Sequence, residues 1–468
     1  MSSLDRSKLL AEYLDVRFGD ARLDERLMRA VPKLGARPGD SFPEQMESDA
    51  DQEALYRFLK NPKVTMDALL AGHRSQTVSR MCNRTVVRIV HDTSDFVFKG
   101  ERDGLDIFQG DVKGFSGHFA LAVAGDESRE VVGVLGLHPF LLKNDMKGLT
   151  PKEKDKKFRN TPRKERKSSR WEKQAIETNC YVPIGTHAIH VMDQEADDYS
   201  VFSALSVASV SFVIRVDPGR RTAEKIKTSD LLATQPATLF REVQISSRSK
   251  AQATKPHPQR KTRIARLSIR TSVLTLNKTA IAHEAELDSV TLNAIHVFES
   301  SPPPDETPIE WMLFTSEPID TLAQIEAVVD HYRARWVIEE YFKALKTGCA
   351  FQKRQLCSYE GLVRALALFI PMAWTLLSLR DLGRETTPRS ATEIFSREQL
   401  RILRAILENR RRKLPDNPTI RDAMLGIAAL GGHIKNNGDP GWQVLGRGLR
   451  RFSEFEEGWN LRSRCDQS

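Results

Sequence analysis

Hydrophobic and polar positions follow helical spacing over the first part of the chain, from residue 1 to about residue 68. One amphipathic stretch is ARLDERLMRAVPKL, which PGDSFP ends. A second is DADQEALYRFLKNPKV, with Asp49 as the expected N-cap and Asn61-Pro62 as the stop signal. The pattern predicts a small helical domain over residues 1–68.

Near residue 85 the pattern changes to β-branched and apolar runs. TVVRIVHDTSDFVF predicts a strand that turns at Asp-Thr-Ser-Asp, and GHFALAVAG and EVVGVLGLHPF predict two more strands. THAIHVMDQEADDYSVFSAL is typical of a strand, a turn and a helix, and SFVIRVD of a further strand. Antiparallel strands followed by βαβ units indicate an α/β domain with a mixed sheet.

Short alternating strands fill the region of about residues 220–320, which predicts an all-β insertion. Helical periodicity then resumes and continues to residue 380, so the larger domain is predicted to span residues 69–380. Its most apolar stretch, residues 365–379, is too short to span a membrane and contains Pro371, so we predict a buried helix and no membrane partner. A polar link leads to a last helical domain within residues 381–468.

Charge is distributed unevenly along this chain of 468 residues, whose formal net charge is +9. Residues 152–173 hold eleven cations and four anions, residues 246–266 seven cations and no anion, and residues 401–413 six cations and one anion. The rest of the chain nets about −10. Any one such run is interpretable as a solvated loop, but three local runs favour a polyanionic partner such as nucleic acid.

The cysteines and the N-terminus bear on the compartment. Five widely spaced cysteines form no CxxC pair, which favours reduced thiols over a disulfide framework or a zinc site. MSSLDRSKLLAEYLDVRF has no apolar segment typical of a signal peptide. We therefore expect a cytoplasmic protein.

Two aspartates follow predicted core strands. Asp92 comes after the apolar run VVRIV, and Asp193 directly after HAIHVM. Ligands of open α/β sheets bind where strands end, and Mg²⁺ prefers oxygen ligands such as carboxylates. An acidic residue at a strand end is common, so either aspartate alone is a weak signal. A glutamate from a later helix would complete a two-metal site for phosphoryl transfer.

The segment YRARWVIEEYFKALK, residues 332–346, supplies candidates for that helix. At about 100° per residue its polar side chains share a stripe about 80° wide, with an apolar face opposite. This stripe consists of Tyr332, Arg335, Glu339, Lys343 and Lys346. One interpretation is a metal-binding glutamate among phosphate contacts, and the other is a ladder of ion pairs on a solvated helix.

Together these blocks resemble bacterial cut-and-paste transposases of the Asp-Asp-Glu class, in the insertion-sequence-four family. HDTSDF is similar to the first-Asp block, VMDQEADDYS to the second, and the spacing Y-(2)-R-(3)-E-(6)-K is met by Tyr332, Arg335, Glu339 and Lys346. LYRFLKNP, EWMLFTSEP and IAALGGHIKNNGDPGW also resemble family blocks. The resemblance implies an RNase H-like mixed-sheet catalytic core with an all-β insertion, flanked by helical N- and C-terminal domains.

The resemblance also implies roles for residues. Asp92, Asp193 and Glu339 would be the catalytic metal ligands for Mg²⁺, with Mn²⁺ able to substitute. Tyr332, Arg335 and Lys346 would bind phosphates of the transposon end, and Arg57 would belong to the end-binding domain. Trp311 is open to two interpretations, a core residue of the insertion or part of a pocket for a base flipped out of the DNA.

The activity implied is transposition of DNA. The protein would bind terminal inverted sequences of double-stranded DNA, pair two ends as a homodimer in a synaptic complex, cleave through a hairpin and join 3′ ends to target DNA. It would act in the bacterial cytoplasm, at the nucleoid, with residues 381–468 as the dimerisation domain. Two alternatives are a non-catalytic DNA-binding inhibitor of transposition and a nuclease of the same core fold. His91 and the lysine-rich stretch 152–173 depart from the family pattern.

Overall fold

The computed structural model describes most of the chain, and everything below concerns that part. The described residues are 6–46, 48–100, 102–109, 112–141, 149–245, 247, 259–279, 286–304, 306–385, 387–434 and 438–465. Most of the basic run 246–266 up to residue 258 lies outside these ranges.

A ten-stranded mixed sheet forms the centre of the described residues. The strands are β1 Val86–Phe98, β2 Asp106–Gln109, β3 Val112–Ala124, β4 Val131–Phe140, β5 His187–Met192, β6 Ser211–Arg215, β7 Leu239–Ile245, β8 Arg263–Asn277, β9 Ser289–Glu299 and β10 Glu310–Thr315. β1, β5 and β6 are parallel neighbours, and the other pairings are antiparallel. The prediction of an α/β fold with a mixed sheet is confirmed.

The predicted turn at Asp-Thr-Ser-Asp is wrong. β1 runs without a break from Val86 to Phe98 and pairs with β3 along that length, including Asp92 with Phe119 and Asp95 with Ser116. Polar residues favour turns only where no partner strand satisfies their backbone groups, and here β3 satisfies them.

The strands of the predicted insertion extend the central sheet. β10 pairs with β6, and the order continues through β9 and β8 to β7 at the edge. A short helix, α9 Thr228–Ala233, also lies within this region. The strands of the insertion are therefore added beside β6, at the edge of the three parallel core strands.

Helices cover both faces of the sheet. They are α1 Arg6–Ala11, α2 Ala21–Ala36, α3 Phe42–Gln45, α4 Asp49–Lys60, α5 Met66–Met81, α6 Pro151–Asn160, α7 Ser169–Asn179, α8 Tyr199–Val207, α9, α10 Leu322–Arg333, α11 Val337–Lys343, α12 Tyr359–Leu382, α13 Arg397–Asn409, α14 Ile420–Leu430 and α15 Trp442–Cys465. Alternate residues of a strand point to opposite faces, and the buried clusters follow this rule.

We call the two sides of the sheet the front face and the back face. Val90 and Val191 lie on the front face, in one cluster with α10 to α12 and with the N- and C-terminal helices. Met192 and Phe212 lie on the back face and pack with α7 and α8. The division matters because Asp92 and Asp193 have the front-face parity of Val90 and Val191.

The N-terminal helices are packed against the rest of the protein. Tyr13 donates a hydrogen bond to the Leu368 carbonyl at 2.6 Å, and Arg364 donates to the Leu59 carbonyl at 2.9 Å. The N-cap of α4 is Ser48, whose hydroxyl accepts from the Asp51 amide, so the predicted cap Asp49 was one residue late. The predicted division at residue 68 stays a prediction, since α5 crosses it.

The apolar stretch predicted as a buried helix is the centre of α12. This helix is long and apolar enough to cross a membrane, and 78% of its apolar window is buried inside the protein. A helix buried to this extent inside the protein is typical of a core helix. Of the cysteines, Cys82, Cys180, Cys349 and Cys357 are free thiols.

Candidate active site

Strand register places the two predicted aspartates beside each other. The parallel pairing of β1 and β5 ends with Val90 opposite Val191, so Asp92 and Asp193 occupy the next equivalent positions on the same face. The pairing of β5 and β6 places Met192 opposite Ile214, and the next position opposite Asp193 is Arg215. A carboxylate, a carboxylate and a guanidinium therefore stand in a row. Asp193 and Arg215 lie at the carboxyl ends of β5 and β6, whereas Asp92 lies in the middle of β1, where its parallel pairing with β5 ends, and not at the end of its strand as predicted.

The segment that carries Glu339 is not one regular α-helix as predicted. α10 ends at Arg333, a 3₁₀ turn spans Ala334–Trp336, α11 follows, and a π turn spans Ala344–Gly348. These turns rotate by more or less than 100° per residue, so the predicted stripe is broken at both ends. Its apolar face is as predicted, because Ile338, Tyr341, Phe342 and Leu345 are all buried.

Arg335 connects the first aspartate to the glutamate. Its Nη1 lies 2.7 Å from Asp92 Oδ2, and its Nη2 lies 3.9 Å from Glu339 Oε1. The Arg335 side chain is 12% exposed and that of Glu339 is 38% exposed. The chain thus brings residues 92 and 339 to one guanidinium, with the second aspartate in the neighbouring strand.

The pKa of Asp92 depends on the other two carboxylates as well as on burial. Burial raises the pKa of Asp92 to about 7, Arg335 opposes the rise, and the charges of Asp193 and Glu339 add to it. The same three carboxylates and Tyr332 together raise the pKa of Arg335 against the effect of burial. Clustered carboxylates that repel one another favour a cation between them.

The donor set suits a divalent ion. Three carboxylates offer the oxygen ligands that Mg²⁺ and Mn²⁺ take, and a bound cation would relieve the repulsion that raises the pKa of Asp92. With Arg335 between Asp92 and Glu339, no group of three or more His, Cys, Asp or Glu side chains among the described residues is arranged to close around a metal ion. A bound ion would compete with the guanidinium for Asp92 Oδ2.

The other predicted site residues surround this centre. Tyr332 is buried, and its ring meets that of Trp311 edge to face at 5.4 Å between centroids. Lys346 is half-buried, and its Nζ lies 5.4 Å from the centre of the Phe96 ring. Tyr332 and Lys346 are therefore too buried to belong to a solvated ladder of ion pairs. Trp311 is partly buried against the front-face cluster.

Glu340 and Lys343 form a separate group. Lys343 Nζ lies 2.7 Å from Glu340 Oε1, while the other oxygen of Glu340 accepts from Arg380 and from Trp442 Nε1, the latter at 3.3 Å. Burial would raise the pKa of Glu340, but Lys343 and Arg380 hold it at about 2. Of two adjacent glutamates, one is therefore bound into an ion-pair network and the other faces the aspartates.

Two nearby residues were not predicted from the sequence. Arg215 completes the row described above, and only the register of β5 and β6 reveals it. Trp336 follows Arg335, is 55% exposed, and has the Arg335 guanidinium 5.6 Å from its ring centre. The sequence signal that could have identified Trp336 is an aromatic residue directly after a site arginine.

Three histidines lie behind the site. His91 Nε2 and His190 Nδ1 are 2.8 Å apart, and Thr93 Oγ1 is 3.0 Å from His118 Nδ1. All three rings are buried, and burial lowers the pKa of each. They have back-face parity, so they brace the strands that carry Asp92 and Asp193 from the other side.

Arg57 belongs to another surface. It lies on α4, is 67% exposed and pairs with Glu53 one turn earlier. Within the described part of the chain, the contact of Arg57 with Glu53 does not lead to the carboxylate centre, and the predicted place of Arg57 in DNA recognition stays a prediction.

An acidic centre where the parallel pairing of β1 and β5 ends, in a chain with a net charge of +9, is typical of the class of proteins that perform metal-assisted chemistry on nucleic acid. Comparison with known families specifies the class further. Residues 6–64 match the family described as Transposase DNA-binding, and residues 153–375 match the Transposase DDE domain. The chain is a DDE transposase with a DNA-binding domain, and such a domain implies a metal-dependent enzyme that cleaves DNA.

The second match contains Asp193 and Glu339 and begins after Asp92. A mixed sheet flanked by helices is consistent with the RNase H-like core of a DDE transposase, so the predicted fold class is confirmed. The chain is also similar to a cryo-EM structure of a piggyBac transposase synaptic complex with hairpin DNA. The identity is 9%, the match covers 80% of this chain and 73% of that one, and the TM-score is 0.36, too low to carry an argument.

Proposed function

We propose that the protein is a cut-and-paste transposase of the insertion-sequence-four family that excises a DNA element and joins its 3′ ends to target DNA. One observation carries the proposal: two aspartates lie in register on neighbouring parallel strands, Arg335 contacts Asp92 and Glu339, and the charges of all three carboxylates act on that guanidinium. The family matches over residues 6–64 and 153–375 support it.

Asp92, Asp193 and Glu339 would hold the divalent ions, Mg²⁺ by preference and Mn²⁺ as a substitute. Bound there, such ions would activate the attacking oxygen and stabilise the leaving oxygen of the phosphodiester. The chain itself contributes positioning. The row across β1 and β5 fixes two carboxylates, and the packing of Ile338 and Tyr341 fixes the helix that presents the third.

The cations around the carboxylates would bind the phosphates of the transposon end. Arg335 is the strongest candidate, because its planar fork can contact two phosphate oxygens at once after leaving Asp92. Tyr332 and Lys346 would contribute a hydroxyl and an ammonium. Trp311 packs on Tyr332, which favours a place in the same pocket, and exposed Trp336 offers a face for stacking a base.

The remaining parts of the proposal concern assembly. Arg57 and its neighbours on α4 would belong to the end-binding surface. Residues 381–468 would contribute to a homodimer in the synaptic complex, and cleavage would proceed through a hairpin. The protein would act in the bacterial cytoplasm, at the nucleoid.

The test is cleavage of the DNA that flanks the gene, in Mg²⁺, by the wild type and by Asp92→Ala, Asp193→Ala and Glu339→Ala. Each variant should lose cleavage and keep end binding, because affinity for DNA rests on phosphate and base contacts elsewhere. A wild type that binds ends without cutting them would instead be an inhibitor, and one that cuts any sequence equally a nuclease. An alanine variant that still nicks ends would refute the assignment of the site.

A further inference from the structure

The lysine-rich segment 152–173 forms a surface that the proposed function does not use. We call residues 151–170, from α6 to the start of α7, the lysine arm. Lys152, Lys154 and Lys156 are exposed, and no described carboxylate pairs with any of them. Two of these lysines are four residues apart on one helix, a spacing at which like charges repel. An unpaired cationic face of this kind suits an anionic partner.

The arm has a fixed base. Arg163 Nη2 donates to the Ser200 carbonyl at 3.0 Å, and Arg163 Nη1 pairs with Glu286 at 3.0 Å. Arg166 Nε donates to the Thr161 carbonyl at 3.1 Å, which ties the end of α6 to the turn before α7. The exposed lysines are therefore held at one place beside the back-face helices.

That place adjoins the carboxylate centre. Trp171, at the start of α7, contacts the His118 ring at 4.4 Å between centroids, and His118 reaches Thr93, the neighbour of Asp92. Asp193 accepts from the amide of Glu195 at 2.9 Å. Burial and Asp193 raise the pKa of Glu195, while Arg170 and Lys167 lower it. Cations of the arm thus stand close to the rim where Asp193 lies.

Strand transfer needs two DNA molecules at one centre. The 3′ oxygen of the transposon end forms a bond to a target phosphorus, the bond from that phosphorus to a target 3′ oxygen breaks, and the proton of the attacking hydroxyl ends on the leaving oxygen. The N-terminal DNA-binding helices and Tyr332, three residues before Arg335, belong to the front-face cluster. The lysine arm offers a second duplex a cationic surface on the other side, beside the back-face helices.

We propose that the lysine arm binds phosphates of target DNA and holds it at the carboxylate centre during strand transfer. The inference rests on the proposed function, since it assigns the second DNA substrate of the same site. The arm would bind without base specificity, because its exposed groups are ammonium ions that contact phosphates.

The test is the triple variant K152Q/K154Q/K156Q beside the matched triple K99Q/K225Q/K227Q, which removes three exposed lysines that lie outside the three basic runs. Binding to a random-sequence 40-base-pair duplex is measured as a function of salt, and cleavage of the gene-flanking DNA is measured separately. Joining of a pre-cut end with a free 3′-OH to a plasmid reports strand transfer.

The arm variant should cleave ends at the wild-type rate, join them to plasmid about tenfold more slowly, and bind random duplex with a salt slope reduced by about two to three units. The control triple should do none of these. Unchanged joining would overturn the proposal, and so would an equal loss of cleavage and joining, which would assign the arm to the transposon end. A wild type that fails to cleave would refute the proposed function, whereas the salt slope would still report on the arm.

Discussion

Arg354 should prove to be the residue that locks the DNA-binding helices to the catalytic part of the chain. It is 2% exposed and lies just beyond the π turn that contains Lys346. Its guanidinium donates to the carbonyls of Pro38 at 2.5 Å and Cys349 at 2.7 Å, to Gln45 Oε1 at 3.3 Å and to the Asp40 carbonyl. The rings of Phe42 and Phe369 contact it at 5.0 and 4.4 Å.

The expected cost follows from these contacts. Burial lowers the pKa of Arg354 to about 10, so it remains charged at neutral pH. Removing a buried charged donor and leaving its acceptors unsatisfied costs about 3–5 kcal/mol. Unfolding entropy of about 2.1 cal/mol/K per residue, over 468 residues, is about 1 kcal/mol/K, so a single cooperative transition should melt about 3–5 °C lower.

The assay is thermal melting of Arg354→Met, which keeps contact with both rings, with Lys353→Met as the control. Lys353 is the exposed neighbour, so the control loses the same charge without losing buried contacts. If the N-terminal helices unfolded independently, a separate early transition would appear and shift by more. Equal melting of Arg354→Met and the control would refute the reasoning.

Two further predictions concern the carboxylate centre. The pKa of Asp92 is raised to about 7 from about 3.9 when unfolded, so the folded metal-free protein keeps a proton that the unfolded chain has lost. Stability in EDTA should therefore fall by about 4 kcal/mol as the pH rises from 4 to 7, and Asp92→Asn should abolish that fall; identical pH profiles of melting would contradict this. Arg335→Lys should lower cleavage, because an ammonium cannot copy the fork, and Arg335→Ala and Lys346→Ala should each reduce the salt slope of end binding by about one unit; full activity with an unchanged slope in all three variants would return the segment to an ion-pair ladder.

The structure changes how the N-terminal domain should be tested. Deleting residues 1–60 would remove Phe42 and Phe58, which share one buried cluster with α12. A truncated chain would expose that cluster and lose stability along with any DNA contact. Substitution of exposed Arg57, which keeps the fold, is the cleaner test of end recognition.

Local pattern was enough to predict most of the elements. Period-two runs identified the strands before Asp193, and period 3.6 identified the buried face of α11, because both depend on residues near in sequence. The turn expected after Asp92 failed for the opposite reason. Whether Asp-Thr-Ser-Asp turns or stays extended depends on β3, which lies more than twenty residues away.

The candidate site shows the same division. Spacing and resemblance selected Glu339 over Glu340, but the reason why Glu340 is committed elsewhere lies in Arg380 and Trp442, which only the fold brings near. Arg215 required the register of two strands, and the docking by Arg354 required the packing of distant helices. Such contacts leave no local period in the sequence.

The most direct test of the account compares Glu339→Gln with Glu340→Gln. Both variants remove one negative charge from adjacent positions, and cleavage of gene-flanking DNA in Mg²⁺, end binding and melting are measured together. The account predicts that Glu339→Gln binds ends, melts normally and does not cleave, whereas Glu340→Gln melts lower and still cleaves in its folded range. Cleavage by Glu339→Gln would contradict the assignment of the catalytic centre. The assignment would also be contradicted if only Glu340→Gln, while folded, lost cleavage.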